Sequence, residues 1–264
     1  MLTKRIFSSV ILISLIIASV FIKWVIGLVI TVFIIVGLYE FFTMLEKKEI
    51  KIYKYFGMGM GVIIPLSILF RFKVTQIWEL LFIVLALLFL VLMQFRRRQN
   101  YGVVVDISTT IFGIIYVSWF LSFLIKIRYL PGGLGLFAMV LIVTKLGDIG
   151  AYLVGTCFGR KPLIPHISPK KSVEGAIGGL IFSVLGALAS RPFLDLSYCT
   201  LIFIGIFLGI LGQLGDLSES LIKRDCQVKD SGNLIPGMGG VLDLVDSLLF
   251  TAPTFYFYIS NILR

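Results

Sequence analysis

Three short stretches between positions 145 and 246 hold nearly all the residues that could do unusual chemistry. The first reads Lys145-Leu-Gly-Asp148-Ile-Gly-Ala-Tyr152. On a helix, Lys145, Asp148 and Tyr152 share one face, because residues three and four apart are surface neighbours. Charged groups in so apolar a run are costly and usually face a partner or a cavity. Two readings follow: a structural Lys145–Asp148 ion pair, or the edge of a polar site.

The second stretch runs from Gly155-Thr-Cys-Phe-Gly159-Arg-Lys to Ser168-Pro-Lys-Lys171-Ser172-Val-Glu174-Gly175. Glycine lets backbone approach a ligand closely, and lysine meets phosphate as a point charge. Ser172 is placed to cap a following helix, whose N-terminus favours an anion. The alternatives are a basic loop lying against acidic lipid, and Gly175 and Gly179 serving as small residues between helices. His166 reads as a loop residue.

The third stretch contains Gly215-Asp216-Leu-Ser218-Glu-Ser220-Leu-Ile-Lys223-Arg224, then Lys229-Asp230, Gly239-Gly240, and Asp243-Leu-Val-Asp246. If residues 214–224 are helical, Asp216, Ser220 and Lys223 lie on one face, and Asp243 and Asp246 pair in the same way at the start of a later helix. Carboxylates beside lysines suit a divalent metal bound to a nucleoside triphosphate. Mg²⁺ takes oxygen ligands, needs only one or two carboxylates, and completes its shell with water and phosphate. The bland alternative is a solvated charged loop.

These motifs must be positioned by apolar helices. Of 264 residues, 58% are hydrophobic and 14% charged, against roughly 25% charged in a soluble domain. No soluble core could bury so many apolar runs, whereas helices in lipid satisfy their own backbones. The sequence therefore predicts an all-α polytopic integral membrane protein with about nine transmembrane helices, near 6–22, 25–45, 56–70, 77–95, 108–125, 133–154, 174–190, 197–213 and 243–262. The first run follows Lys4 and Arg5, is long for a signal-peptide core and lacks a small-residue cleavage site, so it reads as an uncleaved span. We expect a single membrane-embedded domain over 1–264, with ordinary spans in 1–130 and the catalytic motifs in 140–250.

The net charge of +10 comes from basic residues in short loops, which points to topology and anionic lipid and away from nucleic acid. With the N-terminus inside, one side collects Lys4, Arg5, Lys47, Lys48, Lys51, Lys54, Arg96, Arg97, Arg98, Arg160, Lys161, Lys170, Lys171, Lys223, Arg224 and Lys229. The other collects only Lys23, Arg71, Lys73, Lys126, Arg128, Arg191 and Arg264. The positive-inside rule then places the N-terminus and the loops at 155–173 and 214–242 in the cytoplasm of a multi-pass cell-membrane protein. Cys157, Cys199 and Cys226 are far apart with no C-x-x-C, which argues against a thiolate zinc site or a disulfide framework.

The run Ser220-x2-Lys223-Arg224-x4-Lys229-Asp230-x-Gly232-x3-Pro236-x2-Gly239-Gly240-x2-Asp243-x2-Asp246, 27 residues long, resembles the signature of the phosphatidate cytidylyltransferases. Asp148-x2-Ala151-Tyr152 and Ser168-Pro-x-Lys171-Ser172-x-Glu174-Gly175 also look like that family's motifs. Two positions depart from it: Met238 stands where histidine is usual and Leu244 where arginine is usual. Neither removes a carboxylate, but both bear on phosphate or headgroup contacts.

The resemblance implies a nucleotidyltransferase of phospholipid biosynthesis, converting CTP and phosphatidic acid to CDP-diacylglycerol and pyrophosphate. It implies membrane lipid as the setting, a homodimer, and Mg²⁺, with one or two ions. The catalytic residues expected are Asp216, Lys223, Asp243 and Asp246, with Asp216, Asp243 and Asp246 as metal ligands. Asp148, Tyr152, Ser168, Lys171, Ser220, Arg224, Lys229, Asp230, Gly239 and Gly240 are expected at the substrates. Two other readings remain open: a CTP-dependent lipid kinase of the polyprenol or phytol type, and an ion or metabolite transporter using Lys145, Asp148 and Asp216 as a relay.

Overall fold

A computed structural model of the chain describes residues 21–48, 50–70, 78–96, 101–194, 196–233 and 239–262. The expected first span and Met238 lie outside the described residues. The chain divides into two compact units: Met1–Ile125 with Asp230–Leu242, and Lys126–Lys229 with Asp243–Arg264.

The first unit is built from α1 (Lys23–Glu46), α2 (Lys54–Leu69), α3 (Trp78–Gln94) and α4 (Val103–Gly113). After α4 the helix widens to a π turn at Ile114–Trp119 and resumes as α5 (Phe120–Tyr129), the last residues of which belong to the second unit. Large side chains fill its interior: Ile34, Leu38, Phe41 and Phe42 are fully buried. Glycines on neighbouring helices make room for the rings, and a Cβ at Gly57 or Gly113 would lie 2.6 Å from the ring of Phe42. Phe41 also meets Phe112 and Tyr116 at ring-centroid distances of 5.9 and 6.1 Å, in the tilted geometry aromatic pairs prefer.

The second unit contains α6 (Gly133–Phe158), a hairpin of β1 (Pro162–Ile164) and β2 (Ser168–Ser172), α7 (Val173–Ala189), α8 (Tyr198–Asp225) and most of α9 (Leu242–Ile262). Here small residues do the packing. A Cβ on Gly179 of α7 would come 3.1 Å from both Ala151 Cβ and the Gly147 carbonyl of α6. One on Gly209 of α8 would lie 2.9 Å from Ser183 Cβ of α7. Such close backbones are how helices associate where no hydrophobic force drives them together.

Among the described residues, five helices are long and apolar enough to cross a membrane: Lys23–Glu46, Val103–Tyr129, Gly133–Phe158, Val173–Phe193 and Tyr198–Asp225. The protein is thus a helical, multi-pass membrane protein. The apolar runs expected from residue 25 onward all form helices, but α2 and α3, with 16 and 17 residues, fall short of a full span. Two boundaries differ in a way that matters. The helix expected to end near residue 213 continues to Asp225, and part of the loop expected over 155–173 folds as the hairpin. In α8, Lys223 and Arg224 in the last turn favour continuation by complementing the helix dipole.

Candidate active site

The continuity of α8 sets the site. Asp216, Glu219, Ser220 and Lys223 all ride on its last turns, one helical face apart by three or four residues. Close approach of α9 is possible because residue 215 is glycine: a Cβ there would collide with the Asp246 carbonyl. Across this contact Lys223 Nζ donates to Asp243 Oδ1 at 2.6 Å and lies 3.3 Å from Glu219 Oε1. Glu219 has no side-chain exposure and lies between Lys223 and the Asp246 carboxyl.

On α6, Lys145 does pair with Asp148, at 2.9 Å. It also reaches α9, donating to the Leu244 carbonyl at 3.0 Å and to Ser247 Oγ at 3.2 Å. Ser247 Oγ is 3.1 Å from Asp148 Oδ2, and its backbone N–H donates to Asp246 Oδ1 at 2.6 Å. The ion pair ties α6 to α9 beside the Asp246 carboxyl.

The hairpin supplies the third lysine. Lys171 of β2 forms an ion pair with Asp216 of α8 at 2.7 Å, and Arg224 Nε donates to the Ile167 carbonyl at 3.1 Å. The next residue, Ser172, caps α7 as expected, accepting from the Gly175 N–H at 3.1 Å. Glu174 in the first turn accepts from the Arg160 and Lys161 N–H groups at 3.0 and 3.2 Å, fixing the entry to the hairpin. Ser168 lies at the other end of β2, paired with Ile164, and His166 is an exposed residue between the strands.

One electrostatic network results, because the charge of Asp246 acts with those of Asp216, Asp148 and Lys145, and Glu219 acts with Asp243, Asp246 and Lys223. It joins carboxylates of Asp148, Asp216, Glu219, Asp243 and Asp246 to the ammonium groups of Lys145, Lys171 and Lys223. Five acidic side chains thus gather with three basic ones. Among the described residues no group of three or more His, Cys, Asp or Glu is arranged to hold a metal. The donor set nevertheless fits Mg²⁺, which is content with one or two carboxylate oxygens plus phosphate.

Other expected residues are not drawn into this network. Tyr152 is 70% exposed on α6. Ser220 is half-buried on α8, while Lys229 and Asp230 are exposed beyond its end. Gly239, with φ +95°, and the buried Gly240 belong to the first unit. Sequence reasoning passed over Glu219 and Ser247. Glu219 carried a usable signal, since it falls three residues after Asp216 and four before Lys223 on the same helix. Ser247 carried none, because a serine directly after Asp246 is unremarkable in sequence.

Comparison with known proteins bears on this arrangement. Residues 3–262 match the model of the cytidylyltransferase family. A phosphatidate cytidylyltransferase of Synechocystis sp. is 34% identical over 291 aligned residues, covering 97% of this chain and 96% of that protein. A phosphatidate cytidylyltransferase of Bacillus subtilis is 42% identical over 149 residues, and a protein of Escherichia coli K12 named uncharacterized protein YnbB is 40% identical over 151. Those two alignments span about half the length of each relative, 55% and 50%. A match that runs almost from end to end, together with a full-length relative at this identity, establishes that the chain belongs to the cytidylyltransferase family.

Proposed function

We propose that this chain is a phosphatidate cytidylyltransferase, making CDP-diacylglycerol from CTP and phosphatidic acid. The observation that carries the reading is the network of Asp148, Asp216, Glu219, Asp243 and Asp246 with Lys145, Lys171 and Lys223, in which Asp148, Lys171, Lys223, Asp243 and Asp246 are motif residues. The names of the Synechocystis and B. subtilis relatives support it.

In the reaction, an oxygen of the lipid phosphate attacks the α-phosphorus of CTP, the bond to the β-phosphate breaks, and pyrophosphate leaves with that electron pair. Both reactants are anions, so the main demands are charge neutralisation and alignment. No strong general base is required, because a phosphate monoester with a second pKa near 6 is already largely ionised at neutral pH. Asp216, Asp243 and Asp246 would hold Mg²⁺, as one ion or two. When bound, the metal would supply positive charge to phosphate oxygens that the carboxylates cannot approach unaided.

The protein's own groups divide the remaining work. Lys223, held by Glu219 and Asp243, keeps a fixed positive charge at the carboxylate cluster. Lys171 is engaged with Asp216, and a triphosphate competing for Lys171 would release that carboxylate. Arg224, Lys229, Ser168 and Ser220 would contact substrate phosphates, with Asp148, Tyr152, Asp230, Gly239 and Gly240 completing the substrate surface. The acyl chains stay in lipid. As finer expectations, the chain crosses the membrane about nine times, works as a homodimer, and presents these motifs to the cytoplasm.

Purified protein supplied with phosphatidic acid, α-labelled CTP and Mg²⁺ should place label in an organic-extractable cytidylate lipid. Transfer of label from γ-labelled CTP to a lipid alcohol would favour the kinase reading, and nucleotide-independent flux into proteoliposomes the transporter reading.

A further inference from the structure

Glu40 lies on α1, in one of the five helices apolar enough to cross a membrane, yet it is only 2% exposed. A buried carboxylate in such a helix is costly and must be matched by donors. It is matched by backbone some two hundred residues downstream. Glu40 Oε1 accepts from the Val241 N–H at 3.0 Å, and Oε2 accepts from the Leu242 N–H at 2.9 Å and from Ser231 Oγ at 3.2 Å. Leu242 is the first residue of α9, so two of these donors are N–H groups that no helical carbonyl can satisfy. Glu40 is therefore a cap delivered from a distant helix, with its charge at the favourable end of the α9 dipole.

The glycines of the signature fit this carboxylate. A Cβ on Gly232 would stand 2.5 Å from Glu40 Oε1, and one on Gly240 would stand 2.5 Å from Oε2 and collide with Ser231 Oγ. Only glycine leaves room for both oxygens. The residue after Leu242 is Asp243, which begins the carboxylate pair of the proposed active site.

We infer that Glu40 is a positioning residue for the transfer reaction: its carboxylate, cradled by Gly232 and Gly240, fixes the start of α9 and thereby the aim of Asp243 and Asp246. This rests on the reading of the chain as a phosphatidate cytidylyltransferase. The inference is specific about both oxygens. Glu40→Gln replaces one acceptor with an amide that faces a donor, and Glu40→Ala removes both.

The test is hydrogen–deuterium exchange and steady-state kinetics on the full-length protein in detergent, for wild type, Glu40→Gln, Glu40→Ala and Gly240→Ala. Exchange at 239–243 should rise by about tenfold or more in each variant, as expected for loss of a charged cap, with α6 and α7 unchanged. kcat should fall by at least about tenfold while KM for CTP moves little, and the Mg²⁺ concentration for half-maximal rate should increase. Gly240→Ala and Glu40→Ala combined should be no worse than either alone, since both break one contact. Unchanged exchange at 239–243 in Glu40→Ala would overturn the cap. Exchange rising evenly throughout the protein, or a fall in rate confined to KM for CTP, would overturn the positioning role. The exchange comparison needs no turnover. An inactive wild type with a localised exchange change would therefore sink the cytidylyltransferase reading and leave the cap standing.

Discussion

The two units solve the problem of a membrane-embedded interior in opposite ways. The first buries Phe41, Phe42, Leu38 and Ile34 behind helices that give way at Gly57 and Gly113, so its glycines serve large neighbours. The second uses glycines to bring backbones together, and spends the proximity on ion pairs: Lys145–Asp148, Lys171–Asp216 and Lys223–Asp243. Charge in a helical membrane protein is expensive enough that its location is informative. The first unit is a scaffold that buries the Glu40 cap, whereas the second is arranged around clustered carboxyl and ammonium groups.

Substitutions should separate these roles. The largest effect is expected at the carboxylate pair. Asp243→Asn or Asp246→Asn should lower kcat by about a thousandfold or more, roughly 4 kcal/mol of barrier, with expression and membrane insertion retained. Assay of the purified variants at saturating Mg²⁺ checks this, and near wild-type turnover in either one removes that residue from the metal set.

Lys223→Ala comes next, because it strands charge. Its side chain is 12% exposed and faces Glu219 at 0% and Asp243 at 14%. Breaking a buried pair from one side costs about 3–5 kcal/mol, so the thermal midpoint in detergent should drop clearly. Adding Glu219→Gln should recover part of the loss. If the double variant is no more stable than the single one, Glu219 and Lys223 are not coupled in the way the 3.3 Å contact implies.

Lys171→Ala should be milder. Its side chain is 26% exposed and that of Asp216, its partner from β2 to α8, is 36% exposed, and partly exposed pairs contribute little to stability, about 0–1 kcal/mol. The expected change is a rise of about tenfold in KM for CTP, near 1.4 kcal/mol, with a smaller change for phosphatidic acid. A larger change for the lipid would assign the hairpin to the other substrate.

The smallest pair of effects sharpens the contrast between the units. Nothing lies within 4 Å of a Cβ built on Gly59 in α2, so Gly59→Ala should gain about 0.5–1 kcal/mol of helix stability. Gly150→Ala in α6 would force a methyl group to 2.5 Å from Phe182 Cβ, and should destabilise by about 1–3 kcal/mol instead. Thermal melts of the two variants distinguish a glycine that is merely tolerated from one that is required. Met238→His, at the position where the family resemblance breaks, should alter the rate by no more than about tenfold.

Much of this was legible from sequence because the interactions involved are local. The Ser172 cap depends on a neighbour three residues away, and the shared face of Asp216, Ser220 and Lys223 follows from helical geometry alone. The existence of the long helices followed from hydropathy. Their ends did not, since the turns after residue 213 of α8 are polar and their helicity is set by packing against α9. The ion pairs Lys171–Asp216 and Lys223–Asp243 join distant positions, so which lysine meets which carboxylate could not be read from spacing. Glu40 shows the limit most clearly: a lone acid in an apolar run could be flagged as costly, but its partners at Val241 and Leu242 are invisible without the fold.

The central claim is that the charge network of the second unit transfers cytidylate to a lipid phosphate. It is tested most directly by following CTP labelled separately at the α- and γ-phosphates, with phosphatidic acid and Mg²⁺, in wild type and Asp243→Asn side by side. The account predicts one α-label in lipid for each γ-label released as pyrophosphate, and neither in the variant. γ-Label appearing in lipid with CDP released, or full cytidylate transfer by Asp243→Asn, would contradict it.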